Sequence, residues 1–111
     1  MDRQEIYNQI QTHLLTQNQK SLMPNGKGAY RGLAGLKCAL GIFIPDELYS
    51  LDLEGKSVKE ISAFFRFPNG PIENCQDMSF LFKLQDIHDG CPIENWETAL
   101  ESLAYEFSLV P

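Results

Sequence analysis

Residues 28–49 have the sequence GAYRGLAGLKCALGIFIPDELY, and they decide the fold of the middle of this chain. Four glycines lie at uneven spacing along an apolar stretch that ends at Pro45, directly ahead of Asp46 and Glu47. Proline is favoured at the first position of a helix, and acidic side chains are favoured in its first turn. This order therefore predicts a tight turn, a buried segment and a short helical turn that begins at Pro45.

We predict a small β-hairpin within residues 29–44. Residues 29–31 and 36–44 would form its two strands, and residues 32–35 would close them. Gly41 and the bulky apolar residues that follow it favour an extended backbone over a helix. A buried helix over the second half is the alternative, because a short apolar run has no period that separates the two.

Helical patterns lie on both sides of this centre. Ile6, Ile10 and Leu14 recur every four residues within the segment 2–19, which predicts an amphipathic helix. The spacing Ser57-Val58-Lys59-Glu60 is typical of a capping box and predicts a further short helix. Apolar stripes after residue 78 and from Trp96 to Phe107 predict two C-terminal helices. The predicted fold class is α+β: a mostly helical single domain, residues 1–111, with a small β-hairpin or short antiparallel sheet.

Length and composition are those of one globular domain. The chain has 111 residues, of which 43% are hydrophobic and 22% charged. It has no apolar run of the roughly 18 residues that a membrane span needs, so we expect no membrane association. The N-terminal sequence is too polar for a secretory signal, so we expect a cytoplasmic protein.

The cysteines indicate reduced thiols. Cys38, Cys75 and Cys91 are odd in number and show no CxxC spacing, so neither a complete disulfide framework nor a zinc knuckle follows. We expect Cys38 to be buried and unreactive, and Cys75 and Cys91 to lie in loops. A cysteine nucleophile partnered by a histidine is the weaker alternative, and no cofactor is expected.

Charge is segregated along the chain. The formal net charge is -6, and no lysine or arginine follows Lys83. In the last predicted helix, Glu94, Glu97 and Glu101 share one side. A net negative domain is a poor binder of nucleic acid, so the predicted partner is a protein with a basic surface. The alternative is a solvated helix face that keeps the protein in solution.

Two further clusters are candidate sites. Asp86, His88 and Asp89 are a weak candidate for a metal site, because the two carboxylates are three residues apart and would share a helix face. The other cluster is a candidate for contact with an anion or a ligand. Its members are Tyr30, Arg31 and Lys37.

The central stretch resembles a group of small uncharacterised proteins of bacteriophages and bacteria. Their shared pattern is YRG, GLKCA, G, IPD, Y and EG in order, followed downstream by LQ, HD and W. Those relatives often have cysteine near positions 29 and 42, where this chain has Ala29 and Ile42, which counts against a cysteine-based metal site. The matching positions here are Tyr30-Arg31-Gly32, Gly35 to Ala39, Gly41, Ile44-Pro45-Asp46, Tyr49, Glu54-Gly55, Leu84-Gln85, His88-Asp89 and Trp96.

Two functional hypotheses follow. The first is a non-enzymatic accessory protein of phage or prophage type, which binds, and in its stronger form inhibits, a host or defence protein through the acidic C-terminal helix and adjoining aromatic residues. The second is a small enzyme or ligand-binding domain, whose site lies near Tyr30, Arg31, Lys37 and His88-Asp89. A purely structural role in a larger assembly is the third possibility.

Overall fold

Three α-helices organise the computed structural model, which describes residues 1–111 apart from the side chain of Cys75. They are α1 (Arg3–Gln17), α2 (Met78–Gly90) and α3 (Trp96–Glu106). Between α1 and α2 lies a long connecting segment, residues 18–77, whose only regular elements are short 3₁₀ helices. The 3₁₀ helices of the chain are Leu33–Gly35, Gly41–Phe43, Asp46–Leu48, Leu51–Leu53, Ser62–Phe65, Cys75–Asp77 and Ile93–Asn95.

Helix α1 begins and ends where its local sequence requires. Asp2 is the N-cap: its carboxylate accepts the Glu5 main-chain N–H at 2.8 Å, and the Glu5 side chain accepts in return from the main chain of Asp2. The helix ends at Asn18, which adopts the left-handed conformation that asparagine tolerates. Ile6, Ile10 and Leu14 are fully buried, so the predicted amphipathic helix is confirmed.

The two predicted C-terminal helices are also confirmed: α3 packs on both α1 and α2. Tyr7 of α1 donates its hydroxyl to the main-chain carbonyl of Leu100 in α3 at 3.0 Å. Phe80 of α2 meets Phe107 edge to face, with 4.9 Å between ring centroids. Trp96, the first residue of α3, has no exposed surface. These contacts place the apolar stripes of all three helices in one hydrophobic core.

The predicted β-hairpin is wrong. The described backbone contains no β-strand, and within residues 29–44 the expected pairing is reduced to a single antiparallel bridge between Arg31 and Lys37. Beyond it, the chain turns into the 3₁₀ helix Gly41–Phe43. A Cβ atom on Gly41 would lie 2.1 Å from the Tyr30 carbonyl oxygen, so this glycine serves a close backbone approach rather than a strand. The fold is therefore helical and not α+β.

The short helical signals form in part. Pro45 is the N-cap of the 3₁₀ helix Asp46–Leu48, so the turn predicted there exists. The capping box also forms: the Ser57 hydroxyl accepts the Glu60 main-chain N–H at 3.2 Å, and the Glu60 carboxylate accepts the Ser57 N–H at 2.9 Å. It is followed only by turns and the 3₁₀ helix Ser62–Phe65. None of the helices described in residues 1–111 is long and apolar enough to cross a bilayer.

Candidate functional site

The carboxylate of Glu54 organises the middle of the connecting segment. It accepts hydrogen bonds from the main-chain N–H groups of Tyr30, at 2.9 Å, and Arg31, at 3.0 Å. It also accepts the hydroxyl proton of Tyr49 at 2.7 Å. The Tyr30 hydroxyl in turn donates to the main-chain carbonyl of Lys56 at 2.7 Å. The Glu54 side chain thus accepts main-chain N–H groups that would otherwise pair with a neighbouring strand. Because these donors are already bonded, the bridge at Arg31 does not extend into a longer ladder.

The side chain of Arg31 is held inside the same cluster. Its Nη2 donates to the main-chain carbonyl of Ile44 at 2.9 Å and to the carboxylate of Asp46 at 2.5 Å. The guanidinium lies 4.6 Å from the centroid of the Tyr49 ring, a cation–π distance. Arg31 therefore positions the turn around Pro45, and it does not line the cavity described below.

A second polar network joins α2 to the connecting segment. The Gln85 side chain accepts the main-chain N–H of Leu40 at 3.1 Å and donates to Asp89 Oδ1 at 3.1 Å. The main-chain N–H of Ser21 donates to His88 Nε2 at 2.9 Å. Because a main-chain N–H can only donate, Nε2 is the unprotonated nitrogen of the ring. Nδ1 then carries the proton and donates it to Asp89 Oδ1 at 2.8 Å.

His88 is a fully buried structural residue in this arrangement. Its ring stacks on Trp96, with 5.6 Å between centroids and 29° between planes. The lone pair of Nε2 accepts the Ser21 N–H and Nδ1 carries the proton, so neither ring nitrogen is available to a metal, whereas Asp86 is exposed. The side chains that the structure describes include no group of three His, Cys, Asp or Glu residues that could hold a metal ion. The weak metal hypothesis for Asp86, His88 and Asp89 gains no support from this geometry.

The main chain of Lys37 lies between the C-terminal end of α1 and Arg31, with which it forms the antiparallel bridge. The side-chain amide of Gln17 accepts the Lys37 N–H at 3.0 Å and donates to the Lys37 carbonyl at 2.9 Å. His13 Nε2 lies 2.9 Å from the same carbonyl oxygen. The bridge thus brings Lys37 close to Arg31 and Tyr30 along the main chain, but of these three predicted contact residues only Tyr30 lines the cavity described below, which it shares with Asp89.

That cavity has a volume of about 670 Å³ and lies between α2 and two parts of the connecting segment, residues 27–30 and 55–60. Its buried apolar lining residues are Ala29, Tyr30, Cys38 and Val58, and the half-buried Phe82 adds an aromatic face. The volume falls within the roughly 300–1,000 Å³ of typical small-molecule sites. The charged residues that line it are Lys27, Lys56, Lys59, Glu60, Asp86 and Asp89.

The interior of the cavity is unsuited to nucleophilic chemistry. Burial raises the pKa of the Cys38 thiol to about 12, so the thiol stays protonated at neutral pH. Burial, with a smaller contribution from nearby negative charge, also raises the pKa of Tyr30 above its ordinary value. Cys38 is thus buried as predicted, and Cys91 is partly exposed. The expectation for the side chain of Cys75 lies outside the described residues.

The acidic residues at the C-terminus form a separate exposed surface. Glu94 precedes α3, Glu97 and Glu101 lie on it, and all three are exposed. Among the described residues, no lysine, arginine or histidine forms an ion pair with any of them. Tyr105, one turn after Glu101, is 64% exposed and directs its hydroxyl to the Glu101 carboxylate at 3.4 Å. We call these four residues the acidic face.

Sequence reasoning missed the residues that do the most to hold the connecting segment. Glu54, Gln85 and Gln17 each bond main-chain groups that are distant in the chain, and no local pattern marks them. Glu54 and Gln85 do occur in the EG and LQ parts of the pattern that carries the resemblance. Those polar and aromatic residues of the pattern whose contacts are described above form hydrogen bonds or packing contacts within the protein itself.

Three comparisons, with protein-family models, with curated proteins and with solved structures, find no match for this chain.

Proposed function

We propose that this chain is a non-enzymatic accessory protein of phage or prophage type, which binds a basic surface of a host or defence protein in the cytoplasm and thereby inhibits it. The observation that carries the proposal is the acidic face. Three exposed carboxylates without an ion-pair partner in the described residues lie beside an exposed tyrosine. Aromatic residues within a charged rim are typical of protein interfaces.

The state of the reactive side chains supports a binding role over a catalytic one. The Cys38 thiol is fully buried with a raised pKa, and both nitrogens of His88 are engaged in hydrogen bonds. His13 is 2.9 Å from a main-chain oxygen of Lys37 and does not line the cavity with Cys38. A cysteine–histidine pair that could activate a nucleophile is therefore not assembled from these residues.

The decisive experiment compares partner binding for three forms of the protein. The double variant Glu97→Lys/Glu101→Lys reverses two charges on the acidic face. The control, Glu47→Lys/Asp52→Lys, makes the same charge change at exposed positions of the connecting segment for which no hydrogen bond is found. Proteins that the wild type captures from a host lysate are purified, and their binding to all three forms is then measured by surface kinetics.

Electrostatic steering predicts which rate changes. The double variant should associate about tenfold more slowly than the wild type at low salt, while its dissociation rate changes less. Raising the salt should slow association of the wild type, because charges are screened beyond about 8–10 Å at ordinary ionic strength. If the double variant and the control associate equally fast at both salt concentrations, the acidic face serves only to keep the protein in solution.

The alternative hypothesis is a small enzyme or ligand-binding domain, and only some of the residues predicted for its site lie together. Arg31 and Lys37 do not line the cavity, but Tyr30 and Asp89 do. The observation in its favour is the cavity itself, whose size suits a small molecule. Binding there would be independent of the acidic face, because the cavity includes no residue of α3.

A further inference from the structure

The cavity has walls of opposite net charge. The wall formed by residues 55–60 carries Lys56, Lys59 and Glu60, and the wall formed by α2 carries Asp86 and Asp89. In the described part of the chain, no ion pair joins either lysine to either aspartate. The opposite charges therefore face a common space without neutralising one another in direct contact.

Several polar groups around the cavity already have hydrogen-bond partners within the protein, among them Asp89 Oδ1, which accepts from His88 Nδ1 and Gln85, whereas no hydrogen bond to Asp89 Oδ2 or to the Lys27 ammonium is found among the described residues. The Tyr30 hydroxyl donates to a main-chain carbonyl, and the Glu60 carboxylate is held by the capping box with Ser57. Gln85 bonds to Leu40 and Asp89. What the cavity offers a ligand is thus an apolar interior with charged groups of both signs around it.

We propose that the cavity binds a small zwitterion, whose ammonium group pairs with the carboxylates of Asp86 and Asp89 and whose carboxylate pairs with Lys56 and Lys59. The aromatic faces of Tyr30 and Phe82 and the side chain of Val58 contact the apolar chain between the two charges. A ligand that has only a carboxylate or only an ammonium group pairs with the charges of one wall and leaves those of the other wall unpaired. The ligand class is therefore an amino acid or a close relative with separated charges.

The test uses ε-aminocaproate as the zwitterion, with caproate and hexylamine as controls that carry one charge on a chain of the same length. Glycine and γ-aminobutyrate vary the distance between the two charges. Binding is followed by the amide chemical shifts of Gly28 and Gly55, which line the cavity. One of the zwitterions should give saturable shifts at both glycines, and removing either charged group should weaken binding about tenfold.

A charge reversal identifies the wall that holds the ammonium. Asp86 is exposed and has no hydrogen-bond partner among the described residues, so Asp86→Lys should leave the fold intact. The variant should bind the zwitterion at least fivefold more weakly and caproate more tightly than the wild type does. The matched control, Glu47→Lys, makes the same charge change outside the cavity and should bind as the wild type does.

The proposal is overturned if no member of the zwitterion series shifts the two glycines at millimolar concentration. It is equally overturned if caproate or hexylamine binds as tightly as the best zwitterion, or if Asp86→Lys and Glu47→Lys have the same effect. None of these outcomes bears on the acidic face, whose test measures association with a protein.

Discussion

Replacing Glu54 by Ala removes the acceptor of three hydrogen bonds in one step. Two of the donors are the main-chain N–H groups of Tyr30 and Arg31, and the third is the hydroxyl of Tyr49. No neighbouring strand can take over the two main-chain donors, because the described backbone contains no β-strand and the isolated bridge between Arg31 and Lys37 does not use these two N–H groups. We therefore expect a loss of stability well above that of an ordinary half-buried substitution.

The size of the loss follows from the kinds of bond. A hydrogen bond to a charged acceptor contributes about 1.5–3 kcal/mol, and a donor left without a partner in the interior costs about 1–3 kcal/mol. Glu54 is only half-buried, so water compensates in part and the lower ends of these ranges apply. Three such bonds give a predicted loss of about 3–5 kcal/mol in the free energy of unfolding. Domains of this kind have about 5–15 kcal/mol in total.

Urea unfolding followed by circular dichroism measures this loss directly, with Glu47→Ala as a control at an exposed glutamate for which no hydrogen bond is found. Tyr49→Phe in the wild type should cost about 1 kcal/mol, and in the Glu54→Ala background almost nothing, because the shared bond is already gone. A loss below about 1 kcal/mol for Glu54→Ala, or strictly additive effects of the two substitutions, would refute the assignment of Glu54 as the organiser of this segment.

Three further predictions concern the core, the thiols and the tyrosines. Trp96→Ala should lower the free energy of unfolding by about 3–5 kcal/mol, because Trp96 is fully buried; an unchanged melting temperature would contradict this. Cys38 should react with a thiol reagent slowly in the native protein and rapidly in denaturant, whereas the partly exposed Cys91 should react first; fast native labelling of Cys38 would revive a catalytic thiol. Burial and then the bond to Glu54 raise the pKa of Tyr49 to about 12, so the native state binds this proton more tightly than the unfolded state. Stability from this group is complete below about pH 10 and declines as pH rises towards 12, and Tyr49→Phe should flatten that decline in urea unfolding at several pH values.

The helices could be predicted from the sequence, because their signals are local. In α1 the buried residues recur every four positions, and the capping residues Asp2 and Glu5 immediately precede and begin the helix. In α3 the apolar stripe from Trp96 follows the 3.6-residue period. Such patterns need no knowledge of the rest of the molecule, and the structure confirms them.

The middle of the chain could not be predicted, because its hydrogen bonds are not local. Tyr30 is bonded to a residue 24 positions away, Leu40 to one 45 positions away and Ser21 to one 67 positions away. An apolar run without a period has the same appearance whether its main chain pairs with a strand or with distant side chains. A hairpin was the structure predicted for residues 29–44. In the protein, part of the main chain of these residues pairs with distant side chains instead.

The candidate sites divided in the same way. The exposure of Glu94, Glu97 and Glu101 followed from helical spacing and the absence of nearby cations, both of which can be taken from the sequence. That Lys37 would not line the cavity with Tyr30 could not be foreseen, since it depends in part on Gln17 binding the main chain of Lys37. The cavity is formed by three distant parts of the chain, so no local sequence pattern in any one of them predicts it.

A hydrogen bond from a side chain to a distant main-chain group constrains its two residues unequally. The residue that contributes the side chain tolerates few substitutions, whereas the bond itself places little restriction on the side chain of the residue that contributes the main chain. Gln17 recognises the peptide groups of Lys37 and not its side chain, so most residues could stand at position 37 while few could replace Gln17. Leu40, whose N–H Gln85 binds in a similar way, is itself fully buried, so both ends of that contact are constrained. A saturation mutagenesis map of this protein should therefore show an intolerant polar position at Gln17 opposite a variable position 37, and low tolerance at both Gln85 and Leu40.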